Sequence, residues 1–259
     1  MPQNNSVCLF ICLSLLLPAC TKHAQTVNNF AHKPDSIDKQ SKLYILPGLE
    51  HGLLQSPINI YSFKEKTSNK HKVTVHFQDK IKAIVNLGHT VQLDFDEGST
   101  ISHKGLTYVF KQMHFHTPSE HLIDGMTFPM EMHIVTSIPA KDKNDTPRYL
   151  VIGILFKMGQ ANKFIDDFVS LIPKTEHDIA PLKAGTVKLH DLFSNNAQRN
   201  VENFYHYSGS LTTEPYTESV EWFVFKHILE ASPEQIKTIN AIEGDNARHI
   251  QSTFGRSID

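Results

Sequence analysis

The stretch Leu106-Thr107-Tyr108-Val109-Phe110-Lys111-Gln112-Met113-His114-Phe115-His116 decides how this chain is read. Apolar and polar residues alternate along it, the period of a strand with two unlike faces. Strand parity puts Tyr108, Phe110, Gln112, His114 and His116 on one face and Val109, Met113 and Phe115 on the other. Residues i and i+2 of a strand lie roughly 6.5–7 Å apart, near enough for both imidazoles to lean onto one ion whose bonds to nitrogen are about 2.0–2.1 Å. A second strand, Met130–Ser137, carries Glu131, His133 and Val135 on one face, and an antiparallel neighbour can set His133 opposite the first pair. Three neutral imidazoles with an open fourth position make a catalytic zinc centre, whereas structural sites are usually closed, often by thiolates. Gln112 and Glu131 each stand two residues before a candidate ligand on the same face, where they can bind a ring nitrogen and fix its tautomer.

Outward from this pair, alternating or β-branched runs recur at Lys72–Phe77, Lys82–Asn86, Thr90–Phe95, Tyr149–Met158, Asn203–Tyr207 and Ser219–Phe225, separated by turn-forming residues. Two helices are expected. One is Gln160–Ile172, where Phe164, Phe168, Leu171 and Ile172 recur at helical spacing; the other opens at Ser232 as N-cap with Pro233 at N1 and carries Ile236, Ile239 and Ile242. No repeat, heptad or Pro-rich linker interrupts residues 50–259, so residues 42–259 read as one mainly β domain, a large sheet with a few peripheral helices.

Of the 259 residues, 40% are hydrophobic and 20% charged, which excludes a disordered or collagen-like chain. The net charge of −2 provides no basic face for nucleic acid. Cys8, Cys12 and Cys20 all lie near the start, so the remainder cannot form an internal disulfide. Val7–Leu17 is apolar apart from Ser14, too short to span a bilayer and of the length of a signal-peptide core. It ends Leu16-Leu17-Pro18-Ala19-Cys20, which resembles a bacterial lipoprotein cleavage box. Residues 1–19 are therefore expected to be a signal peptide and Cys20 a lipid-bearing residue. The polar, non-periodic residues 20–41 read as a tether, and the protein as exported, periplasmic or held at the membrane by that lipid.

The string Gln112-Met113-His114-Phe115-His116-Thr117-Pro118-Ser119-Glu120-His121, followed by Glu131-Met132-His133-Ile134-Val135, strongly resembles the α-class carbonic anhydrases. The resemblance extends through Gln55-Ser56-Pro57-Ile58-Asn59-Ile60, Asn86-Leu87-Gly88-His89, Tyr207-Ser208-Gly209-Ser210-Leu211-Thr212-Thr213, Glu218, Trp222 and Asn246-Ala247-Arg248, in the family order and spacing. It implies a central twisted, mostly antiparallel sheet of about ten strands, with zinc held by His114, His116 and His133 at the bottom of a conical cleft. Hydroxide formed on the zinc would attack carbon dioxide to give bicarbonate.

By the same resemblance, Thr212 would accept a hydrogen bond from that hydroxide and pass its own hydroxyl proton to Glu120, an ionised acceptor, so that the lone pair points at the substrate. Val135, Val151, Leu211 and Trp222 would form the apolar wall against which carbon dioxide rests, with Thr212 and Thr213 beside it. His89 would carry the proton away, an imidazole being the side chain that both accepts and releases a proton near neutral pH. The departures from the family pattern are also specific. Glu50 and Ser219 stand where the family often has a disulfide-forming cysteine pair, Trp222 is the only tryptophan, Leu87 replaces a common polar residue, and Thr136 and His249 replace a histidine and a proline. Two other readings of the same residues are an esterase using zinc hydroxide and a non-catalytic surface module. The first lacks visible leaving-group apparatus, and the second is opposed by the presence of all three ligands.

Overall fold

The computed structural model describes residues 52–64, 71, 73–138, 142, 145–193 and 203–259. The leader, Cys20 and the tether lie outside the described residues, as does Glu50. The first half of the chain gives β1 (Asn59–Ile60), β2 (Val73–His76), β3 (Ile81–Asn86), β4 (Val91–Phe95), β5 (Thr100–His103), β6 (Leu106–His116), β7 (Leu122–Ile123) and β8 (Met130–Ile138). The second half gives β9 (Arg148–Met158), α1 (Lys163–Val169), β10 (Ile179–Pro181), β11 (Phe204–Gly209), β12 (Val220–Phe225), β13 (Leu229–Ala231) and α2 (Pro233–Glu243).

Eleven strands share one sheet in the order β10-β3-β4-β6-β8-β9-β12-β11, with β13 beside β9, β5 against β6 and β2 against β5. The pairing is antiparallel except that β12 and β13 run parallel to β9, so the sheet is large, mixed and close to the expected ten strands. One face buries a core that includes Met113, Phe115, Phe156, Phe164, Phe168 and Phe223. The other buries a smaller cluster of Ile58, Val151, Tyr207, Trp222 and their neighbours. The site is built between this smaller cluster and the centre of the sheet.

Strand parity through β6 fails at one residue. Phe110 pairs with Thr136 while Gln112 pairs with Val135, which leaves Lys111 as a bulged residue. Tyr108 and Phe110 therefore join Met113 and Phe115 in the larger core instead of sharing a face with His114 and His116. The bulge also marks a change of partner: β6 pairs with β5 as far as Val109 and with β4 from Gln112 onward. Lys104 and Gly105 turn β5 into β6 with φ of 49° and 75°, the sign required by a tight hairpin.

α1 is shorter than its periodicity predicts. Asn162 caps it by accepting the N–H of Phe164, and the helix stops at Val169, leaving Leu171 exposed. Ile172 precedes Pro173, a position that disfavours helical backbone. α2 begins as read: Ser232 accepts the N–H of Gln235, whose side chain accepts the N–H of Ser232, with Pro233 in the first turn.

Candidate metal centre

Register brings the three histidines together. His114 on β6 faces His133 on β8, and His116 faces Glu131, so the two strands put three imidazoles and one carboxylate on adjoining rungs. Ring centroids lie 4.9 Å apart for His114 and His116, 5.3 Å for His114 and His133, and 4.6 Å for His116 and His133. One nitrogen from each ring falls within 4.8 Å of the others.

The remaining nitrogens are held so that specific atoms face inward. Gln112 Oε1 lies 2.8 Å from His114 Nδ1 and can only accept there, so that nitrogen carries the proton and Nε2 keeps its lone pair. Glu131 Oε1 accepts from His133 Nε2 at 2.8 Å, leaving Nδ1. Both ring nitrogens of His116 are shielded from solvent without a hydrogen-bond partner, although Asn246 lies near enough to offset part of the effect of burial. Burial pushes all three imidazoles below their ordinary pKa, His114 well below and His116 to about 4. Neighbouring rings add to the depression at His114. Three uncharged imidazoles, one of them with orphaned nitrogens, and no thiolate or hard oxygen in the set fit a zinc ion.

Glu131 anchors this arrangement. It is fully buried, and its Oε2 accepts the backbone N–H groups of Glu120 and His121 at 2.9 and 2.8 Å. Its Oε1 accepts from His121 Nδ1 at 2.7 Å as well as from His133. Burial alone would raise its pKa, but His121 and His133 with their hydrogen bonds hold it well below the carboxylate range. His121, Glu131 and His133 also bring potential ligand atoms together, but there the carboxylate oxygen is already engaged by both rings. Beyond His121 the network continues through Tyr207 Oη at 2.7 Å to Ser56 Oγ at 3.0 Å. Gly153, opposite His133 on β9, leaves the room for Glu131: a Cβ there would stand 3.0 Å from Oε1.

Glu120 is just as buried. Its Oε1 accepts the N–H of Arg248 at 2.8 Å, while Oε2 lies 3.7 Å from His116 Nε2 and 3.9 Å from His133 Nδ1 with no hydrogen-bond partner. Burial pushes its carboxyl up, and His133, Arg248 and the nearby Thr212 hydroxyl pull it back only in part. The sequence reading takes Glu120 as an ionised acceptor. Burial works against that ionised form, and a cation held beside Glu120 would favour it.

Val135, Val151 and Trp222 occupy one continuous rung across β8, β9 and β12, and Leu211 packs against the same cluster. Trp222 donates to the Ser210 carbonyl at 3.0 Å, which fixes the loop bearing Leu211 and the buried Thr212; Thr213 is exposed. His89 is exposed in the turn between β3 and β4, near enough for its charge to depress the pKa of His114. Asn246 ties the turn down, donating to the His89 carbonyl at 2.8 Å and accepting the N–H of Thr117 at 3.1 Å.

Beneath that turn lies Glu243, at the C-terminus of α2. Burial pushes its pKa up to about 8, against hydrogen bonds from Thr117, Val91 and Thr90 that favour the charged form. The geometry suits a protonated carboxyl. Thr117 Oγ1 lies 3.0 Å from Glu243 Oε1 and 2.8 Å from the Gly244 carbonyl, so it can accept from the former and donate to the latter. Glu243 Oε2 accepts the N–H of Val91 at 3.4 Å. Below pH 4.5 the group is protonated folded or unfolded; above it only the unfolded chain ionises, so stability declines until about pH 8. Glu243→Gln copies the protonated form and should remove that decline. Its thermal midpoint should exceed that of the parent at pH 8, by the equivalent of roughly 3–5 kcal/mol if the full shift is realised, and match it near pH 5. Parallel melts at the two pH values check this; equal pH slopes would refute it.

Sequence reasoning named the trio, Gln112, Glu131, Glu120, Thr212, His89 and the apolar wall as site residues. It assigned no role to His121, Gly153 or Glu243, whose partners lie far away in sequence. The string Gln112–His121 carried a signal for His121, which stands directly after Glu120.

Comparison with known proteins places this geometry in context. A family model described as eukaryotic-type carbonic anhydrase matches residues 46–258. A carbonic anhydrase of Neisseria gonorrhoeae is 33% identical over 264 residues, covering 100% of this chain and 96% of its own length. One from Pectobacterium carotovorum is 34% identical over 211 residues, covering 81% and 80%. Among solved structures, the α-carbonic anhydrase of Thermovibrio ammonificans in complex with the inhibitor sulfanilamide superposes with a TM-score of 0.70 at 33% identity, covering 80% of this chain and 87% of that one.

Proposed function

The chain belongs to the eukaryotic-type, or α-class, carbonic anhydrase family, and from that premise we propose that it catalyses the reversible hydration of carbon dioxide with zinc held by His114, His116 and His133. The observation that carries this reading is the convergence of three uncharged imidazoles with their outward nitrogens engaged at His114 and His133. When bound there, zinc supplies the Lewis acidity that makes water a nucleophile at neutral pH.

The chain's own residues do the rest. Gln112 and Glu131 hold the tautomers that point His114 Nε2 and His133 Nδ1 inward. Glu120, fixed by the Arg248 N–H, accepts from the Thr212 hydroxyl when ionised, which leaves Thr212 Oγ1 able to accept a hydrogen bond from the attacking oxygen and so orient it. Val135, Val151, Leu211 and Trp222 offer an uncharged slot suited to a small apolar gas and poorly suited to a peptide or phosphate ester.

His89 is the proposed proton carrier, exposed to buffer and close to His114. His89→Ala should lower turnover in dilute buffer by about 10-fold or more, with imidazole buffer restoring part of the loss. Stopped-flow hydration at several buffer concentrations measures it, and an unchanged rate in weak buffer would assign proton release to another route. Export with a lipid on Cys20 remains part of the proposal on the sequence of the leader alone; Cys20→Ala should then release the protein from the membrane fraction.

A further inference from the structure

Among the described residues, one other set of three histidines brings its nitrogens within 4.8 Å of one another: His71, just before β2, His103 at the end of β5, and His206 on β11. It lies on the sheet face opposite the proposed zinc site. His206 alternates with Tyr205 and Tyr207, which enter the smaller cluster, and its ring packs on Phe223 of the larger core, 4.8 Å between centroids. The Phe223 edge also meets His103 at 5.0 Å.

This cluster repeats the arrangement that orients the first trio. Asp259 Oδ2 lies 2.9 Å from His71 Nε2, and Glu221 Oε2 accepts from His206 Nε2. A carboxylate can only accept, so Nε2 carries the proton in both rings and Nδ1 is the ligand nitrogen of the neutral form. His71 Nδ1 is shut off from solvent and has no hydrogen-bond partner. Imidazoles backed by carboxylates suit late first-row divalent ions, whereas calcium and magnesium take oxygen donors.

We propose that His71, His103 and His206 form a second metal site, for a divalent ion of the zinc, nickel or copper class, separate from the catalytic centre. The His71 and His206 rings are stacked, 3.9 Å between centroids and inclined by 29°, and each lies 5.6 Å from His103. Uptake of the ion requires the His71 ring to turn out of the stack about its Nε2 bond to Asp259, which brings Nδ1 toward His206 and His103. The bound ion joins β5 and β11 to the segment before β2, and through Asp259 to the strand-like pairing of Asp259 with His206.

The test is a zinc titration of the chelator-stripped full chain, with bound metal counted by elemental analysis after desalting and hydration measured on the same samples. The parent should bind two equivalents. His71→Gln and His103→Gln should each bind one and hydrate carbon dioxide at the parent rate, which also reports that they are folded. His116→Ala should bind one, at the second site, without hydration. A parent that takes up only one equivalent overturns the proposal, as do histidine variants at this cluster that still take up two. Neither result touches the assignment of the first trio, whose failure would appear as parent hydration that is indifferent to zinc.

Discussion

His116→Ala is expected to abolish carbon dioxide hydration and metal uptake at the catalytic trio while leaving the fold intact. His116 is the cleanest ligand to remove because, unlike His114 and His133, it has no side-chain amide or carboxylate held on its ring within 3 Å, and Asn246 lies beside it. The same deletion at His133 would leave Glu131 with a vacant acceptor site in the core, mixing a folding defect with a catalytic one. Enzymes commonly accelerate their reactions by about 10⁶-fold or more, so a variant without its metal should fall by several orders of magnitude, toward the uncatalysed rate. Stopped-flow hydration and metal analysis on one preparation measure both effects. A variant that kept zinc at this site and half the parent rate would remove His116 from the ligand set.

Glu131→Gln should be the most damaging single-atom change in the protein. The carboxylate accepts hydrogen bonds from two backbone N–H groups and two imidazoles, and none of these can be replaced by solvent at a fully buried site. An amide has one acceptor oxygen, and its NH₂ group would face N–H donors. Breaking a buried charged pair typically costs about 3–5 kcal/mol, which for a domain of this size lowers the melting midpoint by roughly 10 °C. Zinc affinity should fall by about 10–100-fold as the His133 ring loses its orienting partner. The sign with pH is definite. Because the folded-state pKa of Glu131 is depressed, its stabilisation is fully present above pH 4.5 and is lost as pH falls through the folded value. The gap between parent and variant should therefore be widest near neutrality and narrow in acid. Melts across pH and a competitive zinc titration check these expectations; a variant as stable as the parent at pH 7 would contradict the role given to Glu131.

The sequence was informative where local pattern and local structure coincide. Leu106–His116 forms one strand with the bounds read from its alternation, and Ser232-Pro233 opens α2 with its capping box. The pairing of His114 with His133 follows from two strands whose polar residues share a parity. Parity broke at Lys111, since a bulge is a property of the pairing and not of the strand that carries it. β5 went unread because its turn is Lys104-Gly105, not one of the stronger Asn-Gly or Asp-Gly signals. β10 and β13, of three residues each, are too short to show a period. Within the site, the ligand set and its partners at i−2 are close in sequence and were legible. The upward pKa shifts of Glu120 and Glu243 were not, because burial by distant segments causes them. The His71, His103 and His206 cluster was likewise invisible in the sequence, since these side chains, from the segment before β2, from β5 and from β11, are brought together only by the fold.

The most direct test of the central claim is carbon dioxide hydration by the chelator-stripped protein as zinc is returned in measured amounts. The account predicts negligible activity without metal, a rise in proportion to added zinc, and a plateau at the first equivalent, which fills the trio of His114, His116 and His133. Full hydration by protein shown to be free of metal would contradict it.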